Sequence, residues 1–125
     1  MIKRALVVDD DELIRTFMNT LLTKKFGLRV VTSKNGFEGL DELQKGGIDI
    51  VFLDIMMPQL DGVGFMEMMR SDSKYSDIPV VIISAVNHKD TVSKLLRLGV
   101  NDYILKPLEF MTITEKMHDL FLKYD

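Results

Sequence analysis

The sequence contains no cysteine, so neither a disulfide framework nor a thiolate metal site can form. That composition suits a reducing compartment, and the protein is expected to be cytoplasmic. No apolar run approaches the roughly 18–20 residues needed to cross a bilayer. Met1-Ile2-Lys3-Arg4 leads straight into a short apolar segment and lacks the longer hydrophobic region of a secretory signal. Strong charge bias is also missing: 16 basic and 19 acidic side chains leave a formal net charge of −3. The lysines are scattered and form no basic cluster. That argues against direct nucleic-acid binding, because phosphate contacts dominate such affinity. No repeat, low-complexity stretch or Ser/Pro-rich linker divides the chain, so residues 1–125 are expected to form one domain. A chain of this length buries roughly two-thirds of its unfolded surface and needs no covalent staple.

What is present is a regular alternation. Ala5 to Val8 reads as a first strand ending at Asp9-Asp10, followed by a helix from Glu12 to about Lys25. In that helix Leu13, Phe17 and Leu21 form one apolar stripe with Ile14, Met18 and Leu22 beside it. Asp10 or Asp11 can cap its start, and Gly27 closes it. Leu28 to Thr32 is a second strand, Phe37 to Gln44 a short helix, and Ile48 to Leu53 a buried strand ending at Asp54. Pro58 and Asp61-Gly62 punctuate a loop before a helix from Val63 to about Ser71. Val80 to Ile83 is a fourth strand ending at Ser84, and Lys89 to Leu98 a helix stopped by Gly99. Asp102 to Leu105 is a fifth strand ending at Lys106-Pro107. The last helix carries Phe110, Ile113, Met117, Leu120 and Phe121 at helical spacing.

Strict strand–helix alternation predicts an α/β fold: a parallel sheet, right-handed crossovers and helices on both faces. The first, third and fourth strands are the most apolar and therefore central. Strand order 2-1-3-4-5 is the common solution for five such units. Ligands of open α/β sheets bind outside the carboxyl ends of the strands. The residues that end the strands are Asp9 and Asp10, Asp54, Ser84 and Lys106. Singly they are weak evidence, since a strand often ends in a polar residue; together they place three carboxylates, a hydroxyl and an ammonium on one edge. Carboxylates held that close repel one another and call for a cation. Magnesium, which prefers oxygen ligands and keeps several waters, is the expected one, with manganese an alternative. Asp54 at the centre of the sheet is placed to act as a carboxylate nucleophile towards phosphorus.

The segments Val7-Val8-Asp9-Asp10, Leu53-Asp54-Ile55-Met56-Met57-Pro58, Leu60-Asp61-Gly62, Ile83-Ser84-Ala85 and Gly99-Val100-Asn101-Asp102-Tyr103-Ile104-Leu105-Lys106-Pro107 resemble, in order, the motifs of the response-regulator receiver family. The resemblance runs from about Lys3 into the last helix and is closest to the single-domain, chemotaxis-regulator type. It implies a flavodoxin-like receiver fold in a two-component or phosphorelay system. It further implies that Asp54 accepts a phosphoryl group from a phosphohistidine on a sensor histidine kinase or a histidine phosphotransfer protein. Asp10 would ligate magnesium directly, Asp9 mainly through water, and Met56 through its backbone carbonyl, with Asp54 completing the set. Ser84 would turn towards the phosphoryl group, Lys106 would pair with it, and Tyr103 would switch between buried and exposed positions. The peptide before Pro107 would be cis. A downstream protein would bind the face made by helix 4, strand 5 and helix 5, with no membrane or direct nucleic-acid partner. The protein would be a phosphoacceptor, catalysing only its own phosphorylation and dephosphorylation.

Blander assignments compete with parts of this set. Asp10 could be only a helix cap, Ser84 an ordinary strand-end hydroxyl, and Tyr103 a half-buried core ring. The nine methionines suit adaptable core filling, with Met56 and Met57 in the active loop expected to be exposed. His88 and His118 lack metal-ligand spacing, and Gly62-Val63-Gly64 lacks the third glycine of a dinucleotide fingerprint. An aspartate-nucleophile phosphatase of the haloacid-dehalogenase type would place a second Asp two residues after Asp54, where Met56 stands. A pseudo-receiver would lack one of Asp10, Asp54 and Lys106, yet all are present. In the family, the residues two places after the phosphorylated Asp and after the Ser/Thr govern water access. Here they are Met56 and Val86, both apolar, so slow self-dephosphorylation is expected. Within these 125 residues no output domain is expected after the fifth helix. The chain therefore either signals by binding a partner or is a piece of a longer regulator.

Overall fold

The computed structural model describes residues 1–85 and 87–124. Five strands, β1 (Arg4–Val8), β2 (Arg29–Ser33), β3 (Ile50–Leu53), β4 (Val80–Ser84) and β5 (Asp102–Leu105), form one parallel sheet in the order β2-β1-β3-β4-β5. The helices between and after them are α1 (Glu12–Phe26), α2 (Gly36–Lys45), α3 (Gly62–Arg70), α4 (Lys89–Arg97) and α5 (Phe110–Tyr124). The expected class and strand order are both observed. A short 3₁₀ turn, Ser73–Tyr75, precedes β4 and carries no apolar periodicity that would announce it.

Successive strand residues point to opposite faces, and the core divides accordingly. Ala5, Val7, Ile50, Phe52, Val81 and Ile83 pack against Met18, Leu21 and Leu22 of α1 and Ile113, Met117 and Leu120 of α5. Their neighbours Leu6, Val8, Val51, Leu53, Val80 and Ile82 pack against Leu43 of α2, Phe65, Met66 and Met69 of α3, and Leu95 of α4. The central strands are apolar throughout because both of their faces are covered. Burying a side chain such as Phe52 or Ile82, both fully enclosed, stabilises the fold by about 1.5–3 kcal/mol. On α4, Leu95 is the one buried residue.

Two stripe positions depart from expectation. Leu13 is 79% exposed, because the first turn of α1 stands at the carboxyl edge of the sheet, past the strands that would cover it. Phe110, in the first turn of α5, is also largely exposed; it borders a shallow apolar groove with Phe17 and Leu21 of α1. Met57 is buried while Met56 is exposed, so the two loop methionines separate. Gly27 ends α1 in the left-handed conformation at φ 68°, its N–H donating to Thr23 O.

Candidate functional site

Backbone hydrogen bonds bring the strand-end residues together. The N–H of Asp9 donates to Ser33 O at 3.1 Å and that of Asp54 to Val8 O at 2.9 Å. Asp9 and Asp54 therefore leave neighbouring strands side by side. The N–H of Lys106 donates to Ser84 O at 2.9 Å, which joins the end of β5 to that of β4. Asp9, Asp54 and Ser84 are buried, whereas Asp10 is exposed at the rim. The Lys106–Pro107 peptide is cis, as expected.

Lys106 reaches across the edge between the two buried carboxylates. Its Nζ lies 3.0 Å from Asp9 Oδ2 and 3.2 Å from Asp54 Oδ2, and it donates a hydrogen bond to the latter. Burial works against the ammonium, but Asp9 and Asp54 outweigh it and hold the Lys106 pKa above its ordinary value. The Asp9 carboxyl is pushed up, first by burial and further by the Asp54 charge, against the opposing pull of the Asp11 N–H and Lys106. One ammonium does not balance the charge of this site.

Carboxylate oxygens of Asp9, Asp10 and Asp54 lie within 4.8 Å of one another. Asp54 Oδ1 is buried and accepts no hydrogen bond among the described residues; Asp9 Oδ2 faces Lys106 at ion-pair distance without hydrogen-bond geometry. Buried oxygens in that condition are costly unless a partner meets them. An all-oxygen set with surplus negative charge fits a hard divalent cation of the magnesium type. Asp10 is available for it because Asp11, not Asp10, caps α1: Asp11 Oδ1 accepts the Leu13 N–H at 2.9 Å.

Around this centre, Met56 is 65% exposed and borders an open cavity of about 430 Å³ with Asp10, Met57, Pro58 and Asp61. Val86, the second residue tied to water access, lies outside the described residues. Tyr103 is half-buried, and no hydrogen bond among the described residues closes on its buried hydroxyl. Burial raises its pKa, with the Ser84 side chain pulling the other way and the Asp54 charge adding to the rise.

Two contributors escaped the sequence reading. Gly62 donates its N–H to Ile55 O at 2.8 Å, and a Cβ there would stand 2.5 Å from Asp54 O and 2.7 Å from Ile55 Cα. The start of α3 can thus press against the peptide that carries Asp54 only if the residue is glycine. The Asp61-Gly62 pair signalled a turn but not this close approach. The second is Arg15, whose Nη1 donates to the backbone carbonyl of Asp9 at 2.9 Å. Nothing in a helix sequence announces a bond six residues backwards.

Comparison with known proteins places this arrangement in context. The family profile described as Response regulator receiver domain matches residues 5–118. A chemotaxis protein CheY homolog from Campylobacter jejuni is 30% identical over 118 residues, covering 94% of this chain and 91% of that protein. A probable C4-dicarboxylate response regulator, DctR, from Halalkalibacterium halodurans is 33% identical over 108 residues, 86% of this chain. The chain spans 46% of that relative and 39% and 40% of two probable ycf27 transcriptional regulators, less than half of each. A CheY-like receiver domain protein from Methanospirillum hungatei superimposes with a TM-score of 0.90 at 22% identity, covering 98% of this chain and 96% of that one. At that identity the superposition speaks for the fold alone.

Proposed function

The chain belongs to the response regulator receiver domain family, and on that premise we propose that Asp54 accepts a phosphoryl group from a phosphohistidine. The donor is a sensor histidine kinase or a histidine phosphotransfer protein, and the setting is a cytoplasmic two-component or phosphorelay pathway. One observation carries the reading. Asp54 has one carboxylate oxygen tied to Lys106 at 3.2 Å and the other without a hydrogen bond among the described residues. One oxygen is anchored and the other is available as nucleophile. An Asp54 oxygen forms the new O–P bond as the N–P bond to the donor imidazole breaks, and the electron pair of that bond leaves with the imidazole. Lys106 offers its charge to the phosphoryl oxygens, and Ser84, at the adjacent strand end, offers its hydroxyl.

Asp9, Asp10 and Asp54 with the Met56 carbonyl would hold magnesium, or manganese in its place. When bound, that ion neutralises the surplus carboxylate charge and draws charge from the phosphoryl oxygens. The added group carries about −1.5 to −2 charges, enough to redirect Lys106 and Ser84. We assign Tyr103 as the switch that passes this change to the face of α4, β5 and α5, where a downstream protein binds. Leaving a buried hydroxyl without a good partner costs about 1–3 kcal/mol, which makes an outward position of Tyr103 accessible. The protein is then a phosphoacceptor and not a turnover enzyme.

Incubation with acetyl phosphate and magnesium, followed by intact mass measurement, tests the reading. A single added phosphoryl group that Asp54→Asn abolishes is the expected result. Sustained hydrolysis of a phosphoester, or phosphorylation that survives Asp54→Asn, would overturn it.

A further inference from the structure

We infer that Arg15 is a positioning residue for the cation site: its guanidinium fixes the peptide that joins Asp9 to Asp10. The carbonyl that Arg15 holds at 2.9 Å belongs to that peptide plane, so its orientation sets the direction in which Asp10 leaves the chain. This inference rests on the proposed cation binding and deepens it.

The other tethers of the segment, the Lys106 ion pair to Asp9 Oδ2 among them, act on Asp9 or Asp11. Asp9 N–H donates to Ser33 O, Asp11 N–H donates to Asp9 Oδ1 at 2.9 Å, and Asp11 caps the helix. None of these bonds fixes the Asp9–Asp10 carbonyl. Asp10 itself is exposed. The bond from Arg15 fills that gap. It is also sterically natural, because helical side chains lean towards the helix N-terminus. Arg15 sits one turn into α1, where the helix dipole disfavours a cation. Its position there is matched instead to the acidic run Asp9, Asp10, Asp11 and Glu12. The guanidinium is half-buried and bonds a neutral carbonyl, so it adds positive potential at the rim without occupying the carboxylates. Outer residues that orient ligands in this way typically change metal affinity by about 10- to 100-fold when removed.

The test is magnesium titration of wild type, Arg15→Met and Arg15→Lys by calorimetry, with urea melts of each protein in EDTA. Arg15→Met should weaken magnesium binding about tenfold, with Arg15→Lys intermediate and both metal-free melts close to wild type. Phosphorylation by acetyl phosphate at saturating magnesium should stay within about twofold of wild type, since the defect lies in occupancy of the site. A dissociation constant for Arg15→Met within twofold of wild type would overturn the assignment. So would an affinity loss that tracks a loss of metal-free stability, which marks a merely structural residue. If wild type binds no magnesium, the inference and the cation reading fail together. If wild type binds magnesium but is not phosphorylated, the phosphoacceptor reading fails alone and the calorimetric comparison still decides the role of Arg15.

Discussion

Replacing Asp54 with Asn should make the metal-free protein more stable, although it removes the residue on which the proposed chemistry depends. Carboxylate oxygens of Asp54, Asp9 and Asp10 lie within 4.8 Å of one another. At an effective dielectric of about 20, each such repulsion is at least about 3.5 kcal/mol. The attraction to Lys106 at 3.2 Å is about 5 kcal/mol on the same scale. Water around the exposed Asp10 roughly halves its share, which leaves repulsion and attraction nearly matched. Desolvation then decides the sign, because a buried carboxylate carries a penalty of several kcal/mol that a neutral amide largely avoids. After allowance for the weaker bond from Lys106 to an amide oxygen, the expected gain is about 1–2 kcal/mol, or roughly 3–8 °C in melting temperature. Magnesium should erase most of this advantage. At tenfold its dissociation constant it stabilises the wild type by about 1.4 kcal/mol, and Asp54→Asn should gain far less. Paired urea melts in EDTA and in magnesium measure both effects. If the variant were less stable than wild type by more than about 0.5 kcal/mol in EDTA, or responded equally to magnesium, the electrostatic reasoning would be refuted.

Three further outcomes follow from the site. Gly62→Ala should cost about 1–3 kcal/mol, because its new methyl group would meet the backbone of Asp54 and Ile55 at 2.5 and 2.7 Å; it should also slow phosphorylation. An unchanged urea midpoint would show that α3 can move aside freely. The folded-state pKa of Asp9 is raised above 3.8, so its contribution to stability is fully present below pH 3.8 and is lost as pH rises through the folded value. Asp9→Asn should therefore gain on wild type as pH climbs from 3.8, and a stability difference independent of pH would contradict this. Met56→Asn combined with Val86→Glu should shorten the lifetime of the phosphorylated form, timed after removal of free donor. An equal or longer lifetime would separate those side chains from water access.

Much of the architecture was legible because two signals agreed. The apolar runs are short, β-branched and unalternating, which marks central parallel strands, and each is followed by residues of helical period. The strand-end polar residues were legible for a topological reason: parallel strands bring all their carboxyl ends to one edge. What escaped depended on placement in three dimensions. Asp10 and Asp11 are equally able to cap a helix, and only the extended backbone of Asp11 (φ −89°, ψ 116°) decides between them. The stripe of α1 predicts that Leu13 faces inward, but periodicity carries no information about where the sheet beneath it ends. Phe110 fails for the same reason at the start of α5. Arg15 and Gly62 act on backbone atoms, and contacts of that kind leave no pattern in side-chain chemistry.

The anchoring of α4 has an evolutionary consequence. With Leu95 its one buried side chain, the exposed positions Lys89, Asp90, Lys94, Leu96 and Arg97 can be exchanged at a cost of about 0.5 kcal/mol or less each. Mutational drift there is nearly invisible to folding. A lineage can thus rewrite what this helix displays while the sheet and its acidic edge stay under unchanged constraint.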